Sequence, residues 1–309
     1  MRSPVALLIF NRPAHTQRVF EAIARQKPSR LLVVADGPRS EEEAALCLEA
    51  RSVINQVDWE CDVSTNFSET NLGCRARVSS GLSWVFEQCE EAIVLEDDCL
   101  PHPSFFQFCD ELLERYRSDE RVTMITGDNL SSHPSANGYS YYFSRTLYCW
   151  GWASWRRAWH HYDVEMKLWP ALRDTAWLST LMCSSARQAH WKRIFDMTHS
   201  GMIDTWDFQW VFACWLQSGF TVVPVRNLVT NIGFGTDALH TTESDHPFSG
   251  MPRTALPQPF VHPAYIVQNP EAEEETFRNV KRGAASCLPA RFGRRARRLI
   301  SAVSLRFSD

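Results

Sequence analysis

Short apolar runs alternate with amphipathic stretches along the first half of the chain. Residues 5–10 and 31–35 are continuous apolar runs, which are typical of strands buried on both faces of a sheet. Between them the pattern predicts a helix over 13–26, with Pro13 at its start. The alternation continues with strands predicted at 61–65, 92–95 and 122–126 and helices predicted from residue 40, over 77–88 and over 104–117. Repeated β-α units predict an α/β fold with a mostly parallel, twisted, Rossmann-like sheet flanked by helices.

Turn and cap signals support these boundaries. Asp36-Gly37-Pro38 is a strong turn signal at the end of the second strand. Ser40 followed three residues later by Glu43 has the form of a capping box, which predicts a helix start there.

The second half of the chain has a different pattern. Ten of the twelve tryptophans lie between Trp150 and Trp215, interleaved with helical spacing, and most of them are expected to pack this lobe. A helix is predicted over 205–217 and a strand over 221–225. Residues 230–249 are polar and without periodicity, which predicts a disordered segment or a functional lid.

Three consecutive carboxylates, Glu96, Asp97 and Asp98, follow directly on the buried strand predicted at 92–95. Ligands of α/β sheets bind beyond the carboxyl ends of strands, and three adjacent acids repel one another unless a positive charge lies beside them. Mn²⁺ or Mg²⁺, which prefer oxygen ligands, would neutralise them and carry a phosphate-bearing substrate. The alternative is an acidic surface turn.

Composition narrows the class of protein. The 309 residues suffice for one large or two small domains, and the net charge of −4 does not suit a nucleic-acid partner. Ten scattered cysteines without a C-x-x-C pair favour free buried thiols and a cytoplasmic protein. No apolar stretch is long enough to cross a bilayer, and the first ten residues do not have the form of a signal peptide.

The last residues carry the opposite charge from the rest. Residues 271–309 hold 9 Lys and Arg against 5 Asp and Glu, which leaves the first 270 residues with a net charge of −8. We predict an acidic linker at 271–275 and a basic amphipathic helix at 291–307. That helix is expected either to lie on an anionic membrane surface or to pack on the acidic body.

With these motifs assembled, the first 250 or so residues resemble the GT-A nucleotide-sugar glycosyltransferases, in particular N-acetylglucosaminyltransferase I and related bacterial glycosyltransferases. The matching motifs, in chain order, are Phe10-Asn11-Arg12, Val34-Ala35-Asp36-Gly37, Val94-Leu95-Glu96-Asp97-Asp98, Trp150-Gly151-Trp152, Trp206-Asp207 and Gly233-Phe234-Gly235. The resemblance implies a GT-A domain over 1–270, with a nucleotide-binding half at 1–130 and an acceptor and catalytic half at 131–270.

The resemblance implies a donor site at the ends of the first strands. Arg12 and Asp36 would hold the nucleotide, and Asp36 would accept a hydrogen bond from uracil, which favours a UDP sugar. A plain Asp-Gly turn is the alternative for Asp36. Asp98 would bind Mn²⁺ or Mg²⁺ directly, Asp97 would reach the ribose or a metal-bound water, and Glu96 would contact either the sugar or the groups that surround the metal ligands.

Further donor contacts are implied by the same resemblance. Arg77, or its neighbour Arg75, would steady the diphosphate, with a solvated helix face as the alternative. Trp150 and Trp152 would wall the sugar pocket together with Trp206, although packing of the lobe is the alternative for each of them.

Asp207, at the start of the helix predicted over 205–217, is the implied catalytic base. It would remove the proton from an acceptor hydroxyl, and a single base implies inversion of configuration. The alternative is that Asp207 caps the helix or complements its dipole, as Asp often does. Related enzymes can carry a second Asp where this chain has Phe208, which leaves other aspartates open as the base. Asp204 and Asp163 are the reserve candidates.

The expected function is therefore metal-dependent, inverting transfer of a sugar from a nucleotide diphosphate sugar, most simply a UDP sugar, to a glycan or glycolipid of a bacterial surface. One alternative is a sugar-nucleotide-binding protein without turnover. A nucleotidyltransferase is less favoured, because Phe10-Asn11-Arg12-Pro13 is not a glycine-rich phosphate loop. A cytoplasmic location is expected, with peripheral contact with the inner face of the membrane if the basic helix at 291–307 binds lipid.

Overall fold

A central mixed sheet organises the chain. The computed structural model describes residues 1–131, 138–234 and 248–286. The strands in these ranges are β1 (Val5–Ile9), β2 (Arg30–Ala35), β3 (Asp62–Phe67), β4 (Glu91–Glu96), β5 (Cys99–Pro101), β6 (Val122–Thr126), β7 (Tyr141–Ser144), β8 (Trp152–Trp155), β9 (Phe220–Pro224) and β10 (Val229–Asn231). Eight of them form one sheet in the order β3-β2-β1-β4-β8-β6-β9-β7, and β10 pairs with β5 separately.

The sheet is parallel from β3 to β4 and mixed beyond it. β1 lies between β2 and β4, so that Leu7 is opposite both Val33 and Leu95. β8 runs antiparallel to β4 and β6, and β7 runs antiparallel to β9. The carboxyl ends of β1, β2 and β4 therefore meet at one edge, where the motifs of the first half of the chain end.

Helices cover both faces of this sheet. The described helices are α1 (Pro13–Ala24), α2 (Glu41–Ser52), α3 (Gly73–Gln88), α4 (Pro103–Arg115), α5 (Arg156–Trp159), α6 (Trp169–Leu172), α7 (Trp177–Leu181), α8 (Ser185–His199), α9 (Asp207–Leu216) and α10 (Pro270–Ser286). Alternate residues of β1 enter different cores: Leu7 packs in the cluster that includes residues of α1 and α4, and Leu8 in the cluster that includes residues of α3 and α9. Burial on both faces explains why these strands are apolar throughout rather than alternating.

The predicted α/β class and mostly parallel sheet are confirmed, with element boundaries displaced by a few residues. The predicted tryptophan-rich lobe is confirmed as packing: Trp152, Trp155, Trp169, Trp210 and Trp215 are fully buried. The indole of Trp152 packs against those of its neighbours at centroid distances near 6 Å. Large aromatic side chains are the main apolar material of this lobe.

Three features differ from the predictions. α3 begins at Gly73, four residues before the predicted start, because Gly73 has φ +78 and turns the chain into the helix. Residues 271–275, predicted as a linker, lie inside α10. Residues 230–249, predicted as an irregular loop, contain most of β10. The remainder of that loop at 235–247 and the predicted basic helix at 291–307 lie outside the described residues.

At the start of α2, one of the two hydrogen bonds of the predicted capping box is present. The Ser40 hydroxyl accepts a hydrogen bond from the Glu43 backbone N–H at 3.3 Å, as predicted. The Glu43 carboxylate, however, accepts from the backbone N–H of Arg39 at 2.7 Å and from Asn11 at 2.6 Å. The glutamate therefore ties the helix start to the end of β1 instead of returning to Ser40.

Glu273 fastens α10 to the edge of the sheet. Its buried carboxylate pairs with Arg187 of α8 at 3.1 Å. Its Oε1 accepts hydrogen bonds from the Ser144 hydroxyl at 3.1 Å and the Arg145 backbone N–H at 2.5 Å. Gln268 donates to Oε2 at 2.8 Å. A carboxylate inside the predicted linker is thus a central tertiary contact.

Replacing Glu273 with alanine is expected to lower the free energy of unfolding by about 3–5 kcal/mol, because Arg187 is left buried without its counter-charge. Urea denaturation followed by tryptophan fluorescence measures this. Glu274→Ala, on the same helix and only partly buried, is the matched control and should change stability by less than about 1 kcal/mol. Equal losses in the two variants would show that the ion pair does not hold α10.

Candidate functional site

A cleft of about 310 Å³ opens at the carboxyl ends of β1, β2 and β4. Its lining combines apolar residues with side chains of both charges. The polar side chains that line it within the described residues are Asn11, Arg12, Asp36, Arg39, Asn71, Arg77, Glu96, Asp97, Asp98 and Asp204. The fold thus brings six of the predicted site residues together, namely Arg12, Asp36, Arg77, Glu96, Asp97 and Asp98.

Asp97 and Asp98 are buried, and the positive charge beside them is Arg12. Only 8% of Asp97 and 4% of Asp98 is exposed. Nη1 of Arg12 lies 3.0 Å from Oδ2 of Asp98 and 4.0 Å from Oδ1 of Asp97. The backbone N–H of Phe10 donates to Oδ2 of Asp97 at 3.2 Å. Burial, reinforced by the charge of Asp98, raises the pKa of Asp97 well above its usual range, while Arg12 and the Phe10 amide oppose this shift.

The segment after β10 closes over Asp98. The backbone N–H of Ile232 donates to the carbonyl of Asp98 at 2.8 Å, which continues the β5–β10 pairing. A Cβ atom on Gly233 would lie 2.1 Å from Oδ2 of Asp98, so that only glycine allows this approach. The start of the predicted lid is therefore held against the acidic triplet.

Asp97 and Asp98 could hold a divalent ion only with further ligands from outside the protein side chains described. Among the described residues no three His, Cys, Asp or Glu side chains are gathered as a closed metal cage. Asp97 and Asp98 offer hard oxygen atoms beside an open cleft. Mg²⁺ and similar ions are commonly held by one or two carboxylates, with water and substrate phosphates completing the shell.

The Asp36 carboxylate accepts hydrogen bonds from the backbone at the start of α3. Its Oδ1 accepts from the backbone N–H groups of Gly37 at 2.8 Å and Leu72 at 2.9 Å, and its Oδ2 accepts from that of Gly73 at 3.0 Å. The Asn71 amide also donates to Oδ2 at 3.1 Å. Asp36 is thus more than a plain Asp-Gly turn, because its charge satisfies backbone donors of a helix far along the chain.

Arg77 is buried in the wall of the cleft and does not lie on a solvated helix face. Its Nε donates to the carbonyl of Ala35 at 3.1 Å, and its Nη2 donates to the carbonyl and side-chain oxygens of Asn66 at 2.5 and 2.7 Å. Burial lowers the pKa of the guanidinium, and Asp36 opposes this shift. Its neighbour Arg75 instead binds the carbonyl of Val164 and the Glu165 side chain.

Asp207 lies at the start of α9, but it lines a second, smaller cavity of about 40 Å³. Its Oδ1 accepts from the Thr205 hydroxyl and from the Phe208 backbone N–H at 2.9 Å. Burial first, and then Asp207 and Glu96, raise the pKa of the Cys149 thiol, so both carboxylates lie within electrostatic reach of Cys149. Asp207 is not among the described residues that line the main cleft.

Asp204, a reserve candidate for the base, lies in the main cleft and not in the second cavity. It lines the main cleft, and its Oδ2 would lie 3.4 Å from a Cβ on Gly73, the residue bound to Asp36. The two aspartates thus face different parts of the site.

The three tryptophans assigned to the sugar pocket are buried. Trp150 is 3% exposed, Trp152 0% and Trp206 2%, and none of them is among the described residues that line the cleft. Trp152 and Trp206 stack at 5.8 Å. Trp150 packs edge-on against Phe234, next to the closing segment. A role in sugar contact stays a prediction.

Besides Asn11, which was noted only as part of the Phe10-Asn11-Arg12 motif, two polar contributors to the cleft were not predicted. Asn71 has a recognisable signal, because Asn71-Leu72-Gly73 is a turn sequence ahead of a helix. Arg39 has none, since it lies in a loop and its side chain pairs with Glu43. Only the folded chain brings either residue to the cleft.

Comparison with known proteins gives weak likenesses. No family model and no curated protein matches the chain. Among solved structures, mouse xyloside xylosyltransferase 1 is 9% identical with a TM-score of 0.34, covering 68% of this chain and 80% of that one. UDP-glucose pyrophosphorylase with bound UDP-glucose is 12% identical with a TM-score of 0.27, covering 51% and 78%. HddC from Yersinia pseudotuberculosis is 9% identical with a TM-score of 0.32, covering 52% and 80%. At TM-scores below 0.5 these likenesses say nothing about activity.

Asp36→Ala is expected to lower the free energy of unfolding of the ligand-free protein by about 2–3 kcal/mol, because backbone N–H groups at the start of α3 lose a charged acceptor. Asp36→Asn, which keeps an acceptor of the same size, should lose less. Thermal and urea unfolding without nucleotide measure both.

The control for Asp36 is Glu69→Ala, an exposed acid in the loop that precedes α3. If Asp36→Ala were no less stable than this control, the carboxylate would not support α3, and its role would be restricted to ligand binding.

Proposed function

We propose that the protein is a metal-assisted, inverting glycosyltransferase that uses a nucleotide diphosphate sugar, with UDP as the favoured nucleotide. One observation carries the proposal: a cleft at the ends of parallel strands holds two buried carboxylates against a partly buried arginine. Charges of both signs in one cleft suit a ligand that has anionic phosphates and arrives with a divalent cation.

The nucleotide would lie across the first three strand ends. Its base and ribose would lie toward Asp36. Arg77, predicted to steady the diphosphate, would instead support the wall beside Asp36, because its Nε and Nη2 already donate to Ala35 and Asn66. Its diphosphate would lie beside Arg12 and Asp98, and the sugar beyond, toward Glu96. An ion bound by Asp98, with Asp97 close by, would supply Lewis-acid stabilisation of the charge on the departing diphosphate.

Asp207 is the proposed base. An acceptor hydroxyl would attack the anomeric carbon as the bond from that carbon to the diphosphate oxygen breaks. The bonding electrons would leave with the nucleoside diphosphate, and the hydroxyl proton would pass to the Asp207 carboxylate. Because Asp207 lines the second cavity and not the donor cleft, the acceptor hydroxyl would have to approach from the side of that cavity.

The acceptor is proposed to be a hydroxyl of a glycan or glycolipid.

Within the described residues, no helix combines the length and the apolar character needed to cross a membrane. A protein that binds sugar nucleotides without turnover is the alternative outcome, and measurements of binding and of turnover separate the two.

UDP with Mn²⁺ is expected to raise the melting temperature, by an amount that corresponds to about 2.7 kcal/mol at a ligand concentration one hundred times Kd. Neither UDP nor Mn²⁺ alone should have the full effect. In Asp98→Ala the response should be lost, whereas Asp58→Ala, at an exposed acid, should keep it. A full response to UDP in Asp98→Ala would contradict the assignment of Asp98 to the metal.

Asp207→Asn is expected to lower kcat by about 100-fold or more at nearly unchanged KM for the donor, because the proton acceptor is lost while donor contacts remain. Release of UDP from UDP sugars, with a panel of glycan and glycolipid acceptors, measures this.

Asp204→Asn is the matched control and should act mainly on donor KM, since Asp204 lines the donor cleft. If instead Asp204→Asn lowered kcat and Asp207→Asn acted mainly on donor KM, Asp204 would be the base. Binding of UDP sugars with no release for any acceptor would favour the non-catalytic alternative.

A further inference from the structure

Arg12 lies where the proposed metal would bind. Its side chain is only 10% exposed, and its Nη1 is 3.0 Å from Oδ2 of Asp98. Its Nη2 is buried and has no hydrogen-bond partner among the described residues. The guanidinium therefore neutralises the acidic pair while one of its donor groups stays unsatisfied.

Access to the Asp98 carboxylate is restricted on its other sides. Oδ1 accepts a contact from the thiol of Cys99 at 3.5 Å, and that thiol is buried. Gly233 closes against Oδ2 so tightly that a methyl group would not fit. Among the residues that the structure describes, these contacts leave an approach from the cleft, on the side that Arg12 covers.

A divalent ion and the guanidinium would therefore compete for the same oxygen. Each is attracted by Asp97 and Asp98, and each repels the other at close range, most strongly in a buried site of low dielectric constant. Holding both beside Oδ2 would leave an excess of positive charge, until an anion arrives to balance it.

We propose that Arg12 is an exchangeable counter-cation: a divalent ion displaces it from Asp98, and the released guanidinium then pairs with the diphosphate of the incoming nucleotide. This rests on the proposed function, which supplies the metal and the nucleotide. Metal and nucleotide then bind with positive coupling, because the ion frees Arg12 and the diphosphate provides a new partner for it. Planar guanidinium groups pair well with phosphate oxygens, and the unsatisfied Nη2 is a donor available for that role.

Two consequences distinguish this exchange from a fixed arginine. Metal alone should bind weakly to the wild-type protein, since the binding-competent state with Arg12 displaced is a minor one. Without Arg12, metal alone should bind more tightly, and the nucleotide should no longer improve its binding to the same extent.

The test measures Mn²⁺ binding by electron paramagnetic resonance of the free ion, with and without UDP. Arg12→Met removes the charge and keeps a chain of similar width. In this variant the Mn²⁺ affinity without UDP should rise about tenfold or more, because the competing cation is gone. The enhancement of Mn²⁺ affinity by UDP should shrink in the same variant.

Arg39→Met is the matched control. Arg39 lines the same cleft, but its side chain pairs with Glu43 rather than with Asp98, so its removal should leave the affinity for Mn²⁺ alone unchanged. If the affinity for Mn²⁺ alone rose equally in both variants, the cause would be a general charge effect, and the proposed exchange would be wrong.

Thermal unfolding gives a second readout that does not depend on turnover. Arg12→Met should melt below the wild type, because two buried carboxylates lose their partner, and Mn²⁺ alone should restore much of the loss. If this variant does not fold, Arg12→Lys decides the question. Its ammonium cannot reproduce the forked guanidinium, so Mn²⁺ alone should bind more tightly than to the wild type.

The outcomes separate the two proposals. If the wild type binds UDP with Mn²⁺ but Arg12 variants bind Mn²⁺ alone no better than the wild type does, the exchange is wrong and the proposed function stands. If the wild type binds neither UDP nor Mn²⁺ in any combination, the metal-assisted function fails and the exchange fails with it.

Discussion

The site depends on one constraint: two adjacent carboxylates are buried at the end of a central strand. Asp97 and Asp98 are each less than 10% exposed, and an uncompensated charge in that position is strongly unfavourable. Arg12, which lies in the short loop after the neighbouring strand, supplies the compensating positive charge. The strand order places β1 directly beside β4, so the acids and the arginine reach each other without a long excursion of the chain.

The same pair organises distant parts of the chain. β5 begins one residue after Asp98 and pairs with β10, and the Ile232 backbone continues that pairing onto the Asp98 carbonyl. The segment that follows β10 is therefore anchored at the mouth of the cleft. Asp36 acts similarly on the other side, because its carboxylate holds the start of α3 and so positions Arg77 in the wall. Charged groups at strand ends thus serve both folding and the proposed chemistry.

Prediction from sequence succeeded where the signal is local. The strand at 122–126 matches β6 at both ends, and the acidic triplet lies at the end of a buried strand as expected. It was less successful where a contact decides the outcome. Residues 271–275 have the composition of a solvated linker, yet Glu273 is buried because Arg187, Ser144 and Arg145 surround its carboxylate. Partners this far away in the sequence leave no periodic pattern from which they could be predicted.

The sequence by itself determined the alternation of strands and helices, the burial of β1, β2 and β4 and the place of the acids at a strand end. These follow from hydrophobic periodicity and turn residues, which act within a few positions of the chain. Only the tertiary structure decided which cation faces Asp98, which donors hold Asp36, and that Asp207 and Asp204 face different cavities. Those choices depend on strand order and helix packing, which bring together side chains that are far apart in the sequence.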